Sequence, residues 1–259
     1  MSRAKKHFGQ HFLHDRTYLD RIVASIAARP SDRLVEIGPG EGAMTFPLLK
    51  AAGTLTAIEL DTDLIPRLRE RAADLGTLEI VQADVLTVDF TSLATTAGQP
   101  LRVVGNLPYY ISSPILFHCL EHIDAIVDMH FMLQKEVVDR MAAAPGSKIY
   151  GRLSVMLQLV CEVVSLFVVP PGAFQPPPKV DSAVVRLRPR PPEQRPDVDP
   201  KHLQAVVRAA FAQRRKTLAN GLKGLLDADT IAACGIDPKA RAETLPPSAF
   251  VDLARALGR

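Results

Sequence analysis

Short runs of β-branched and aliphatic residues alternate with helix-like stretches from residue 33 to residue 188, and this alternation narrows the possible folds more than any single motif. The runs are RLVEI (33–37), TLTAIEL (54–60), LEIVQAD (78–84), LRVVGNL (101–107), DAIVDMHFML (124–133), VVSLFVV (163–169) and SAVVRLR (182–188). Seven strands with helices between them imply an α/β fold with a mostly parallel, doubly wound sheet, because parallel neighbours need a crossover connection. The pattern stops at RLRPRPPEQRPDVDP (186–200), where five prolines and alternating charges mark a linker. Beyond it, PKHLQAVVRAAFAQRRKTLANGLKGLL and PSAFVDLARAL have helical spacing. The expected organisation is a sheet domain over 1–188, a proline-rich linker over 189–199 and a small all-α domain over 200–259.

A chain of 259 residues has room for two such cores, and 47% hydrophobic with 23% charged residues fits a folded globular protein. Cys119, Cys161 and Cys234 are far apart and form no CxxC pair, so neither a disulfide frame nor a thiolate metal site is indicated, and a reducing cytoplasm fits best. The start, MSRAKKHFGQHFLHD, is basic but leads into no apolar signal region, and the run Val163 to Val169 is too short to span a bilayer. Charge is uneven. Residues 1–185 carry 17 Lys and Arg against 20 Asp and Glu, whereas residues 186–259 carry 14 against 8. A surplus of +6 on the helical third suggests a polyanionic partner.

The first chemical signal is VEIGPGEGAMT (35–45), in which a strand ends at Ile37 and Gly38, Gly40 and Gly42 turn the chain into a helix. Backbone can then approach a ligand closely, with a helix N-terminus facing it. Glu59, 21 residues beyond Gly38 at the end of the next strand, is placed to accept from a ribose diol. Both a nicotinamide dinucleotide and S-adenosylmethionine carry that diol, so the loop leaves the two open. Asp84 closes the third strand on the same edge, where it can accept from an adenine amine or cap a helix.

NLPYY (106–110) separates the candidates. Pro108 removes a ladder donor and Asn106 brings hydrogen-bonding groups that a core strand would leave unsatisfied, whereas a flat, hydrogen-bonded ligand would use them. If the Asn106 oxygen and a carbonyl near Leu107 or Pro108 hold the two N–H groups of an exocyclic adenine amine, the nitrogen can pyramidalise and aim its lone pair at a methyl group. Pro108 fixes the carbonyl direction, and Tyr109 can stack on the purine.

Together with GQHFLHD, EIGPGEG, IELD, QAD, FQPPPKVDSAVV (174–185) and FAQRRKTLANGLKG (211–224), NLPYYIS resembles the small-subunit (16S) ribosomal RNA adenine N6,N6-dimethyltransferase family over nearly the whole chain. The resemblance implies a seven-stranded class I methyltransferase sheet, its last two strands an antiparallel hairpin, followed by a helical domain. It implies four methyl transfers from S-adenosylmethionine onto two adjacent adenosines in the terminal hairpin of small-subunit rRNA during ribosome assembly. Carried over by position, His11, Leu13, Gly38, Gly40, Glu59, Asp84 and Asn106 line the cofactor site. Asn106, Leu107, Pro108 and Tyr109 hold the target amine, and Phe174 sandwiches the extruded base. Position 11 is His and position 110 is Tyr where many relatives have Asn.

The basic helical module fits RNA docking: Arg214, Arg215 and Lys216 can meet phosphates, and Lys5 and Lys6 add an arm. A monomer is expected of a catalyst that docks on a large particle. Two related readings share the core, a large-subunit rRNA dimethylase of the antibiotic-resistance type and a non-catalytic RNA-binding assembly factor. HCLEH (118–122) also matches the HxxEH zinc-protease pattern, but no third ligand accompanies it and no metal is expected.

Overall fold

The computed structural model describes residues 11–213 and 215–258. Contacts divide the chain into two compact units, Met1–Val138 with Val164–Pro189, and Asp139–Val163 with Arg190–Arg259.

In the first unit, Phe12–Leu13 (β1) pairs antiparallel with Phe174–Gln175 (β8), Leu13 opposite Phe174. The main sheet contains Leu34–Ile37 (β2), Thr54–Glu59 (β3), Thr77–Gln82 (β4), Leu101–Asn106 (β5), Ile126–Gln134 (β6), Cys161–Val169 (β7) and Ser182–Pro189 (β9), in the order β4-β3-β2-β5-β6-β9-β7. All seven expected strands are present. Pairing is parallel from β4 to β6 and antiparallel between β6 and β9.

Helix Arg16–Ile26 (α1) precedes β2, and its N-terminus is capped by Asp15, whose Oδ1 accepts from the Thr17 N–H at 2.8 Å. Thr45–Ala52 (α2), Ile65–Ala72 (α3), Phe90–Ala97 (α4) and Ser112–Glu121 (α5) supply the crossovers. Their buried positions, Leu48, Leu49, Leu68, Phe90, Ile115 and Leu116 among them, are spaced at helical intervals, so each helix has an apolar face to bury. The chain leaves β2 in one direction through β3 and β4, then returns to β5 on the other side of β2. That reversal opens a crevice beyond the carboxyl ends of β2 and β5. The two strands lie close there: a Cβ on Gly105 would stand 2.7 Å from the Ile37 carbonyl oxygen, which explains a glycine in the middle of an apolar strand.

The second unit contains Arg152–Val160 (α7), Pro200–Phe211 (α8), Leu218–Gly221 (α9), Ala228–Ala233 (α10) and Pro247–Leu257 (α11); the boundary between units falls inside Lys135–Met141 (α6) and again inside β7. Tyr150, Val155, Val206, Val207, Leu222, Ile231, Phe250 and Leu253 form its core. This differs from the division expected on sequence, which left 139–163 with the sheet and treated 189–199 as a linker. Residues 139–163 carry apolar side chains that the helical core uses, and their polar groups close within it: Tyr150 Oη donates to the Leu245 carbonyl at 2.9 Å, and Gln158 Nε2 donates to the Met141 and Ala143 carbonyls. The Arg190 N–H bonds the Val160 carbonyl at 2.8 Å, so the proline-rich stretch begins packed.

Helix α8 stops at Phe211, earlier than the helical spacing through 226 suggested. Residues 215–216 lie in a turn, and Lys216 N–H bonds the Gln213 carbonyl at 2.9 Å. Among the described residues, no helix is long and apolar enough to cross a membrane.

Candidate active site

A cleft of about 310 Å³ opens where β2, β3, β4 and β5 end. The first turn after β2 is all glycine at its left-handed positions, with φ of +66° at Gly38, +57° at Gly40 and +85° at Gly42. A Cβ on Gly38 would meet nothing within 4 Å, so this backbone faces open space in the cleft. At Gly40 and Gly42 crowding adds to the left-handed backbone, since Cβ atoms there would press on the rings of Phe12 and Phe46.

Glu59 at the end of β3 is buried, 7% exposed, and holds the loop: Oε2 accepts from the Gly40 N–H at 3.3 Å and Oε1 from the Asp61 N–H at 2.8 Å. Burial raises its pKa, and the two N–H groups oppose that rise. Each oxygen keeps a lone pair for a further donor. Asp84 caps the turn Val85–Thr87, its Oδ1 accepting from the Leu86 N–H at 3.0 Å, and also lines the cleft. Capping and facing a ligand are thus compatible.

At the end of β5, Asn106 Nδ2 donates to the His11 carbonyl at 3.1 Å, which commits the amide nitrogen and leaves the oxygen to accept. The Leu107 N–H bonds the Met132 carbonyl at 3.1 Å, and the Pro108 carbonyl accepts from the Ile111 N–H at 3.2 Å. Of the two carbonyls considered on sequence, Leu107's is therefore the better placed to receive a ligand. Tyr109 is fixed at both ends: its hydroxyl lies 2.7 Å from Ser182 Oγ, and its ring stacks on His11 at 5.6 Å between centroids with 28° between planes. Burial raises its phenol pKa. His11 Nδ1–H donates to the Pro176 carbonyl at 2.8 Å, which fixes the imidazole beneath the Tyr109 ring.

The structure thus brings His11, Leu13, Gly38, Gly40, Glu59, Asp84, Asn106, Leu107, Pro108 and Tyr109 to one cleft. It does not bring Phe174 there. That ring is 2% exposed and packs in the core beside Leu13, to which β8 pairs it. A sandwich on an extruded base from Phe174 would require the ring to leave this packing. Arg215 and Lys216 are exposed in the second unit; Lys5, Lys6 and Arg214 lie outside the described residues. His118 and His122 are tied to their own surroundings, His118 Nε2–H donating to the Val88 carbonyl at 2.8 Å and His122 Nδ1 lying 2.9 Å from Thr91 Oγ1. Among the described residues, no group of three or more His, Cys, Asp or Glu could hold a metal ion.

Sequence reading missed Glu36 and Ser182. Glu36 lines the cleft, is 1% exposed and has an Oε2 without a hydrogen-bond partner; burial, with repulsion from Glu59 added, pushes its pKa up to about 7. The available signal was a carboxylate in the middle of LVEI, a strand otherwise wholly apolar.

The model of the ribosomal RNA adenine dimethylase family matches residues 1–258. The chain belongs to that family. This dimethylase is 62% identical over 251 residues to the ribosomal RNA small subunit methyltransferase A of Xanthomonas campestris pv. campestris strain B100, covering 97% of this chain and 95% of that one. A counterpart from Xanthomonas oryzae pv. oryzae strain PXO99A is 61% identical over the same coverage. Among solved structures, a dimethyladenosine transferase from Plasmodium falciparum superposes with a TM-score of 0.80 at 26% identity, over 94% of this chain and 96% of that one. The 23S rRNA methyltransferase ErmE superposes with a TM-score of 0.70 at 28% identity, over 96% and 100%. The dimethylase is a methyltransferase of the class I α/β fold, and its cofactor is S-adenosylmethionine. The cleft fits that cofactor: open space over Gly38 admits a backbone-hugging ligand, Glu59 keeps acceptor capacity for a diol, and 310 Å³ lies at the size of small-molecule pockets.

Proposed function

We propose that this dimethylase converts two adjacent adenosines in the 3′-terminal hairpin of small-subunit rRNA to N6,N6-dimethyladenosine as the subunit is assembled, through four methyl transfers in the cytoplasm, as a monomer. The observation that carries the reading is the fixed orientation of Asn106, with its nitrogen held by His11 and its oxygen left to accept beside the Leu107 carbonyl. Two acceptors at the mouth of one strand suit the two N–H groups of a planar amine. The names of the relatives at 62% and 61% identity favour the small subunit over the large; the likeness to ErmE fits a core common to both kinds of substrate.

Glu59 would hold the cofactor ribose, Asp84 the adenine amine, and the Gly38–Gly40 backbone, with His11 and Leu13, the remainder. The cofactor supplies an electrophilic methyl group on sulfur. The protein's own work is positional. Asn106 and Leu107 accept from the target amine, bonds that strengthen as its nitrogen becomes positive, so they stabilise the transition state more than the ground state. Tyr109, braced by Ser182 and His11, presents a ring to the purine without having to be ordered at each turnover. Arg215 and Lys216 supply exposed positive charge for RNA phosphates. Methylation of assembling small subunits, with large-subunit RNA as the comparison, tests the assignment: modification of the small subunit at two neighbouring adenosines supports it, and preferential modification of large-subunit RNA rejects it.

A further inference from the structure

Among the described residues, Tyr110 is the one Phe or Tyr side chain that is exposed, at 59%; every other such ring is buried or half-buried. A single exposed apolar residue ordinarily needs no explanation. Tyr110 differs by its place, because it lines the cleft at the point where NLPYY leaves β5. Its backbone is held on both sides, by the Ile111 N–H on the Pro108 carbonyl and by Ser112 Oγ donating to the Tyr109 carbonyl at 3.1 Å. The neighbouring rings are committed elsewhere. Tyr109 gives its hydroxyl to Ser182 and one face to His11, and Phe174 is shut in the core.

A base drawn out of a strand into a pocket leaves the adjacent base with one face bare of its stacking partner. A fixed aromatic ring at the pocket rim can cover that face, and stacking of this kind is tolerant of base identity because every base has a π-face. We infer that Tyr110 is the stacking platform for the nucleobase next to the one in the cleft. The inference rests on the proposed action on adjacent adenosines and adds a residue to it: while one adenosine reacts, its neighbour lies on Tyr110, and the two exchange places between rounds. Tyr110 would then act on RNA affinity, and hence on KM, in preference to the chemical step.

The test uses the full chain and small-subunit particles whose terminal hairpin is supplied as ligated synthetic RNA, either with both adenosines or with one replaced by an abasic nucleotide. Tyr110→Ala is expected to raise Kd and KM for the intact particle by about 5- to 150-fold, the range for loss of one base–aromatic stack. On the abasic particle the same variant should cost little further, because the base that stacks is already missing. Tyr110→Phe and Tyr110→Trp should restore what Tyr110→Ala loses. An equal loss on both particles, no loss on either, or a Tyr110→Phe as damaged as Tyr110→Ala overturns the assignment while leaving the dimethylase reading standing. Failure of the wild-type protein to methylate the intact particle overturns both.

Discussion

Around the cleft, Glu59, Asn106 and Tyr109 are held by hydrogen bonds within the protein, whereas the basic turn after α8 carries its charge into solvent. Glu59 is fixed by two N–H groups, Asn106 by the His11 carbonyl and Tyr109 by Ser182, while Arg215 and Lys216 are exposed. Groups of the first kind act through direction, and displacing one leaves the others aimed at a vacated position. Groups of the second kind act through number, because phosphate contacts add roughly one by one and are screened by salt. The contrast predicts steep losses from single substitutions in the cleft and shallow, salt-dependent ones in the turn.

The largest effect is expected at Asn106. Asn106→Ala should lower single-turnover methyl transfer by about 10²–10³, or roughly 2.7–4 kcal/mol, the scale for removing one preorganised polar group, while RNA binding is retained. Asn106→Asp keeps an acceptor but turns an oxygen toward the His11 carbonyl, which now receives a donor at 3.1 Å. Intermediate activity is expected. A wild-type rate for Asn106→Ala would reduce NLPYY to a turn.

Next comes Glu36, whose effect is on stability and pH. Its pKa rises from 4.5 to about 7 on folding, chiefly through burial. Between these values the folded chain binds more protons than the unfolded one, so stability falls as pH climbs through the window and the penalty is constant above it. A shift of that size corresponds to about 3 kcal/mol as an upper figure. Glu36→Gln should flatten the slope between pH 5 and pH 7 and make the cofactor-free protein more stable at pH 8. Parallel denaturation profiles for the two proteins would contradict this.

Glu59→Ala should weaken S-adenosylmethionine binding by about 1.5–3 kcal/mol, the range for a hydrogen bond to a charged group. Because both Glu59 oxygens already accept from N–H groups, Glu59→Gln must turn its amide nitrogen toward one of those donors. It should therefore bind the cofactor nearly as poorly as Glu59→Ala in calorimetry. A near-normal Glu59→Gln would mean that the loop does not depend on the carboxylate.

What could be read from the sequence follows the same division. Strand ends and glycine turns leave local marks, so β2 to β6, the glycine loop and the acidic positions Glu59 and Asp84 were legible, and all of them meet at the cleft. Long-range partners leave none. Ser182 bonds Tyr109 across 73 positions, and Asn106 bonds His11 across 95, so the bracing of the site was invisible. The burial of Phe174 was hidden for the same reason, since it is set by pairing between β1 and β8. Residues 139–163 fall between two strand runs and so read with the sheet domain, although Tyr150 and Val155 belong to the helical core.

The smallest effect per residue is expected in the basic turn. Helical spacing placed its charges on a helix face, but α8 ends at Phe211 and the turn that follows sets Arg215 and Lys216 in solvent. An exposed cation on a turn makes one phosphate contact at most, and removing it should reduce the salt slope of RNA binding by about 1. Arg215→Glu with Lys216→Glu should therefore lower the slope of log Kd against log salt by about 2, raise KM for the particle most at low salt, and leave S-adenosylmethionine affinity unchanged. Arg215→Lys keeps the charge and loses only the planar fork. If it behaves like the wild type, the turn contributes charge alone. If it loses as much as Arg215→Glu, the guanidinium makes a directed contact, and the distinction between an oriented cleft and a merely charged turn fails at that residue. An unchanged slope for the double reversal would move RNA docking to another surface of the molecule.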